Sequence, residues 1–266
     1  MRSEISRRTC LGLLGAGAAA AASPEWTSLF DGKTLKQWRD PRSLSPVGDS
    51  WSIEDGCIKS ASHPKLREDL VSREEYRDFE LAFDWRISPG GNSGVKYRVQ
   101  EFVVLPLDRY PKPAKFEPFV REVMSKPVLA RDRIKPGEHI EIYVIGFEYQ
   151  VIDNAAHKDA LRGSKYQSGA LYDIVAASKE TIKPVGQFNQ ARIVVKGDNA
   201  QHWLNGIKVV DTSLRGEAVK EAAARRWGVE HPVYKLLTEQ KRVATPITLQ
   251  NHNDEAWFKN IRIRKI

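Results

Sequence analysis

The chain is nearly free of cysteine, with only Cys10 and Cys57 in 266 residues. Cys10 lies in a segment that reads as a cleaved leader. One thiol then remains, which excludes an internal disulfide. Long hydrophobic runs are scarce too. The weakly apolar stretch Leu11 to Ala22 is made of Leu, Gly and Ala and is too short to span a bilayer. There is no stripe of Lys and Arg interleaved with aromatics, which excludes an obvious nucleic-acid partner. Basic residues are instead scattered among acidic ones, as in Lys65-Leu66-Arg67-Glu68-Asp69 and Arg73-Glu74-Glu75. Internal repeats, low-complexity linkers and signs of a second domain are missing as well.

What is present begins with Ser6-Arg7-Arg8-Thr9-Cys10-Leu11, ahead of the Leu/Gly/Ala run and the small residues Ala20-Ala21-Ala22. Paired arginines before a short, mildly apolar segment predict a twin-arginine export signal over residues 1–22. The expected product is a periplasmic or secreted protein without a membrane anchor, formed by residues 23–266. Cleavage removes three arginines and one glutamate, so the formal charge falls from +8 to +6. A chain without disulfides suits a route that carries folded protein. About 240 residues suffice for one large β domain with a substantial core.

Period-two patterning dominates that domain. Leu81, Phe83, Trp85 and Ile87 share one strand face, opposite Glu80, Ala82, Asp84 and Arg86. After the turn Pro89-Gly90-Gly91-Asn92, Val95, Tyr97 and Val99 alternate with Gly94, Lys96 and Arg98. Ile193 and Val195 mark a strand that ends in Gly197-Asp198-Asn199. Asn205-Gly206 sits between two apolar runs and predicts a type I′ hairpin, whose two turn residues need positive φ. Ile261 and Ile263 face away from Asn260, Arg262 and Arg264. Short strands joined by turn residues predict an all-β fold, an antiparallel β-sandwich with one or two short helices in its loops. Residues 103–138 read as a long excursion, and residues 217–240 as one or two helices.

Four polar sets stand out. In Gly146 to Asn154, alternation puts Glu148, Gln150 and Ile152 on one strand face and Phe147, Tyr149 and Val151 on the other. Asp153 and His157 follow the strand. Asn92, Lys96 and Arg98 form a second set, Tyr172 and Asp173 a third, and Gln250 and His252 a fourth with Arg262 close behind. A curved sheet can gather such residues on one concave face.

The motifs resemble those of a known family. Trp26 to Trp38 (WTSLFDGKTLKQW), NSGVKYR, GFEYQVIDNAAH, SGALYDI, QFNQARIVVKGDNAQHWLNGIKVVD and ITLQNHNDEAWFKNIRIR occur in order along nearly all of 26–266. The chain is thereby similar to the 3-keto-disaccharide hydrolase domain. That resemblance implies a concanavalin A-like jelly roll, export, and action on glycosides already oxidised at carbon 3. The family's common QDHG is Gln250-Asn251-His252-Asn253 here, so no acid stands beside the histidine.

A 3-keto sugar allows hydrolysis by elimination. The ketone acidifies the hydrogen on carbon 2, a base removes it, and the enolate expels the aglycone from carbon 1. Water then adds to the enone. Such a site needs a base, a cation or donor at the enolate oxygen, and an acid for the leaving group. The expected catalytic residues are Glu148, His252 and Asp153. Asn92, Lys96, Arg98, Gln150, Tyr172, Gln250 and Arg262 are expected to bind the carbohydrate. Asp153 and His157 have the chemistry to hold a divalent metal ion, which would serve the enolate in place of Arg98 or Arg262. A non-catalytic carbohydrate-binding module on the same fold is the second reading. An ordinary glycoside hydrolase would need two carboxylates about 5–10 Å apart. Glu148 and Asp153 point to opposite faces of an ideal strand, which disfavours that pair.

Overall fold

The structure, a computed structural model, describes residues 25–41, 48–64, 67–106, 115–125 and 140–266. The leader assigned to residues 1–22 and part of the 103–138 excursion lie outside the described residues. The first six strands are β1 (Thr27–Ser28), β2 (Trp38–Arg39), β3 (Trp51–Glu54), β4 (Cys57–Ser60), β5 (Leu70–Tyr76) and β6 (Phe79–Ile87). Then come β7 (Asn92–Pro106), α1 (Phe116–Ser125), β8 (Ile140–Ile152), β9 (Asn189–Lys196), β10 (Asn199–Leu204) and β11 (Ile207–Ser213). The chain closes with α2 (Glu217–Trp227), α3 (Pro232–Glu239), β12 (Thr245–Leu249) and β13 (Ala256–Lys265).

Two antiparallel sheets form the sandwich. One runs β11-β10-β9-β6-β13-β4-β3 with β1 added on β13, and the other runs β2-β5-β12-β7-β8. Their inner faces carry the residues that alternation assigned to them. Leu81, Phe83, Trp85 and Ile87 of β6 are buried, as are Val95, Tyr97, Phe147, Tyr149 and Val151 of β7 and β8. Each such side chain contributes roughly 1.5–3 kcal/mol on burial. Aromatic edges lock the layers together, with Phe83 against Tyr149 at 5.7 Å and Phe79 against Tyr97 at 6.3 Å. Between the sheets, the wholly buried His202 donates from Nδ1 to the Gly169 carbonyl, so its Nε2 accepts from the Tyr97 hydroxyl at 2.8 Å. Burial holds His202 down to about 4, neutral at ordinary pH.

Local sequence signals explain the turns. Asn205 and Gly206 both have positive φ, 50° and 83°, as the two-residue hairpin between β10 and β11 requires. In β13 a bulge with Asn260 at φ 53° keeps Phe258 and Ile261, three residues apart, in the same core.

The 103–138 segment departs from its reading as a loop. β7 runs on to Pro106, β8 begins at Ile140, and α1 lies between them. The 217–240 segment forms two helices, α2 and α3. His231 ties them to α1: its Nδ1 caps α3 by accepting from Val233 N–H, and its Nε2 donates to the Glu117 carbonyl. Phe116, Tyr143 and Trp227 pack together at 5.0–6.3 Å, seating the helices on β8. Among the described residues no helix is long and apolar enough to cross a membrane.

Candidate active site

Strand register assembles the site. Thr248 of β12 pairs with Lys96 of β7, and Lys96 with Glu148 of β8, so one row crosses three strands on the outer face of the five-stranded sheet. Gln250, just past β12, donates from Nε2 to Glu148 Oε2 at 3.3 Å. A Cβ on Gly94 would collide with the Glu148 carboxylate, so glycine there lets the carboxylate lie across β7. Asp69, ahead of β5, completes the cluster. Lys96 Nζ stands 3.5 Å from Asp69 Oδ2 and 3.9 Å from Glu148 Oε2.

The helices roof this row. Val219, Ala222, Ala223 and Arg226 recur at helical spacing, and the last three line the cavity with Trp227 of the same helix. The cavity holds about 300 Å³, at the small end for ligand sites. Glu148, Lys96, Asn92, Tyr172, Gln250 and His252 all reach it. The sequence thus identified six lining residues, all brought together here. Tyr172 donates to Asp159 Oδ2 at 3.3 Å, and both face the cavity.

Burial sets the electrostatics. It pushes the Glu148 carboxyl up to about 7, opposed by the Lys96 ammonium and reinforced by Asp69. It raises Asp69 as well, against the pull of Lys96. Burial alone would lower Lys96, but the carboxylates of Asp69 and Glu148 outweigh it and hold the ammonium above its ordinary value. His252 is held down to about 4 by burial, then by the charge of Arg67 and its neighbour His157. The pocket therefore presents a carboxyl poised near neutrality beside a fixed cation and a neutral imidazole.

Four expected residues belong elsewhere or do other work. Arg98 sits in a β7 bulge at φ 51°, which turns its side chain out of the row. Its guanidinium donates to the carbonyls of Val243 and Gly197, fastening the sheets at their edge. Arg262 lies on the outer face of the other sheet, against Trp26. Asp153 is consumed as a turn cap, accepting from the N–H groups of Gly90, Ala155 and Ala156 at 2.8–3.2 Å. Gln150 is wholly buried beneath the site. With its amide turned to satisfy both ends, it donates to Glu148 Oε1 at 2.9 Å and to the Ser93 carbonyl.

The Asp153–His157 metal pair does not form. His157, His252 and Asp254 do place one ligand-type atom each within 4.8 Å of one another. However, His157 Nδ1 accepts the Asp159 N–H at 3.1 Å, so its proton sits on Nε2 and neither nitrogen offers a free lone pair. Asp254 also holds the Asn92 N–H at 3.0 Å. As it stands His157 packs edge-on against His252, with ring centroids 6.3 Å apart, and Asp254 lies beside the pair.

Sequence reading passed over Asp69, Asp159, Arg226 and Asp254. Asp69 stood in a run that read as scattered surface charge, although it directly precedes the buried Leu70-Val71. Arg226 was legible on the stripe it shares with Val219, Ala222 and Ala223.

Comparison with known proteins agrees with the architecture. A crystal structure of a candidate glycosyl hydrolase from Parabacteroides distasonis superposes with a TM-score of 0.65 at 25% identity, covering 91% of this chain and 94% of that one. A second from the same organism gives 0.57 at 22% identity, covering 91% and 100%, and supports the fold. The 3-keto-disaccharide hydrolase of Bacteroides thetaiotaomicron is 30% identical over 253 residues, which span 90% of this chain and 78% of that protein. The model of the 3-keto-alpha-glucoside-1,2-lyase-like domain matches residues 25–264. A match over so much of the sequence, on a sandwich shared with those solved structures, makes this chain a member of the 3-keto-alpha-glucoside-1,2-lyase-like domain family.

Proposed function

We propose that this protein is a carbohydrate-active enzyme that cleaves 3-keto-glycosides by elimination across carbons 1 and 2 followed by hydration. The observation that carries the reading is the Glu148 carboxyl, held at about 7 on the floor of a small cavity beside Lys96. A module that only binds sugar needs no such base. A general base works best with a pKa near the operating pH.

In this scheme Glu148 takes the proton from carbon 2, and the electron pair moves onto the carbon 3 oxygen. Arg226, across the cavity from the sheet, stabilises that enolate. Return of the electrons expels the aglycone from carbon 1, and Tyr172, with Asp159 behind it, protonates the departing oxygen. Water then adds at carbon 1 of the enone while carbon 2 regains a proton. His252, neutral at working pH, hydrogen-bonds the sugar together with Asn92 and Gln250. The cavity suits the oxidised ring, with the aglycone at its mouth. The twin-arginine pattern further supports action outside the cytoplasm.

The test is to offer the purified protein a 3-keto-disaccharide and its unoxidised parent in D2O. Release of free sugar from the keto form only, with deuterium at carbon 2 of the 3-keto product, is expected. Hydrogen retained at carbon 2 would refute elimination, and equal turnover of the parent would refute the need for the ketone.

A further inference from the structure

The opposite side of the sandwich carries a second groove. One cross-strand row on the outer face of the eight-stranded sheet runs Trp203, Arg192, Ala82, Arg262, Ser28, in register through β10, β9, β6, β13 and β1. Four strand spacings make this row about 19 Å long. Ala82 is a low floor at its middle. At one side the Arg192 guanidinium stacks on Trp203 at 3.9 Å; at the other, Arg262 and Arg264 stack on Trp26 at 5.1 and 4.8 Å. The groove is open to solvent and offers about 950 Å³ along the sheet face.

We infer that this groove is a second carbohydrate site, one that takes a neutral oligosaccharide of unoxidised pyranose rings. Both tryptophans are half-buried, which holds the indoles rigid with part of each ring in solvent. Such aromatic surface suits the C–H face of a sugar. Planar groups that engage adjacent hydroxyls lie between them: the Asp84 carboxylate, the Gln190 amide and the Arg262 guanidinium. Among the described residues Arg262 has no carboxylate within ion-pair distance, so its donors are available. Asp84 spends one oxygen on Asn260 Nδ2 at 2.7 Å. Charge selects the class of ligand, since Asp31 and Asp84 balance Arg192 and Arg262 around the groove. An acidic glycan would meet two carboxylates, and a cationic one two guanidiniums. This inference does not depend on the catalytic reading, because the two sites lie on opposite faces.

Calorimetric titration of the full chain with maltotetraose, cellotetraose and xylotetraose, and with a tetragalacturonide as the acidic control, tests the inference. At least one neutral tetraose should bind, and Trp203→Ala and Arg262→Ala should each weaken it about tenfold, the loss of roughly one stacking or bidentate contact. Glu148→Gln should leave it unchanged. Arg262 is exposed, so its variant reports on binding even if Trp203→Ala disturbs the fold. No binding of any neutral tetraose, binding of the acidic one alone, or binding that survives Arg262→Ala would overturn the inference. Binding lost in Glu148→Gln would place the sugar in the catalytic cavity and overturn it equally.

Discussion

Replacing Lys96 by Met tests whether Glu148 is tuned by the cation beside it. Met keeps the unbranched length of the buried stem and removes the charge. At 3.9 Å, an ion pair in an environment of effective dielectric about 20 is worth about 4 kcal/mol, and each pKa unit is about 1.4 kcal/mol. The full effect is thus about three units. Asp69 loses its cation at the same time and takes up a proton more readily, which removes the like charge that now raises Glu148. The net shift should be about one to two units, upward. Only the deprotonated carboxylate can accept the carbon 2 proton, so the acidic limb of kcat/KM should stand near pH 7 in the parent and move to higher pH in the variant. The assay is a pH–rate profile with a 3-keto-disaccharide from pH 5 to 9. Well below the limb, parent activity should fall about tenfold per pH unit. A limb that stays in place, or moves to lower pH, would refute the coupling of Lys96 to Glu148. A lower plateau with an unmoved limb would instead mean that Lys96 serves the substrate alone.

Glu148→Gln should lower turnover by about 10²–10⁴ with the melting temperature nearly unchanged; activity within a few-fold of the parent would reduce Glu148 to a binding residue. Gly94→Ala should displace the Glu148 carboxylate and cost about 10² in kcat/KM while the circular dichroism spectrum is preserved, an outcome checked by kinetics on the folded variant. Arg98→Met should cost about 2–4 kcal/mol in urea unfolding, because it removes charge-assisted bonds from a buried guanidinium to two backbone carbonyls, yet leave turnover within twofold. Changing Arg7 and Arg8 to Lys should leave precursor in the cytoplasm on fractionation, and normal export of that variant would defeat the twin-arginine reading.

Much of this molecule was legible along the chain because strands write their burial every second residue. The inner faces of β6, β7 and β8 and the Asn205-Gly206 turn follow from local stereochemistry, which needs no partner to be recognised. The same alternation put Glu148 and Lys96 on outward faces, and register alone then sets them side by side. Alternation failed where a bulge interrupts it. Arg98 continues the pattern of Gly94 and Lys96 on paper, but a positive φ at that residue turns it away, and nothing in the neighbouring sequence signals the bulge. Arg262 keeps its predicted strand face; what the chain could not say is which of two sheets that strand joins.

Asp153 illustrates a different limit. Its residue type suits a metal or an acid–base role, and only the folded turn shows its oxygens already occupied by three backbone N–H groups. Sequence therefore determined the class of fold, the strand faces and six of the polar side chains that line the cavity. Tertiary structure decided the rest: that α2 closes over the β8 row and supplies Arg226, that Asp69 joins the row from the start of β5, and that burial among them lifts Glu148 to about 7. A carboxyl's pKa depends on the charges and solvent around it in three dimensions, and here Lys96, Asp69 and Arg226 each lie more than fifty residues from Glu148 in sequence.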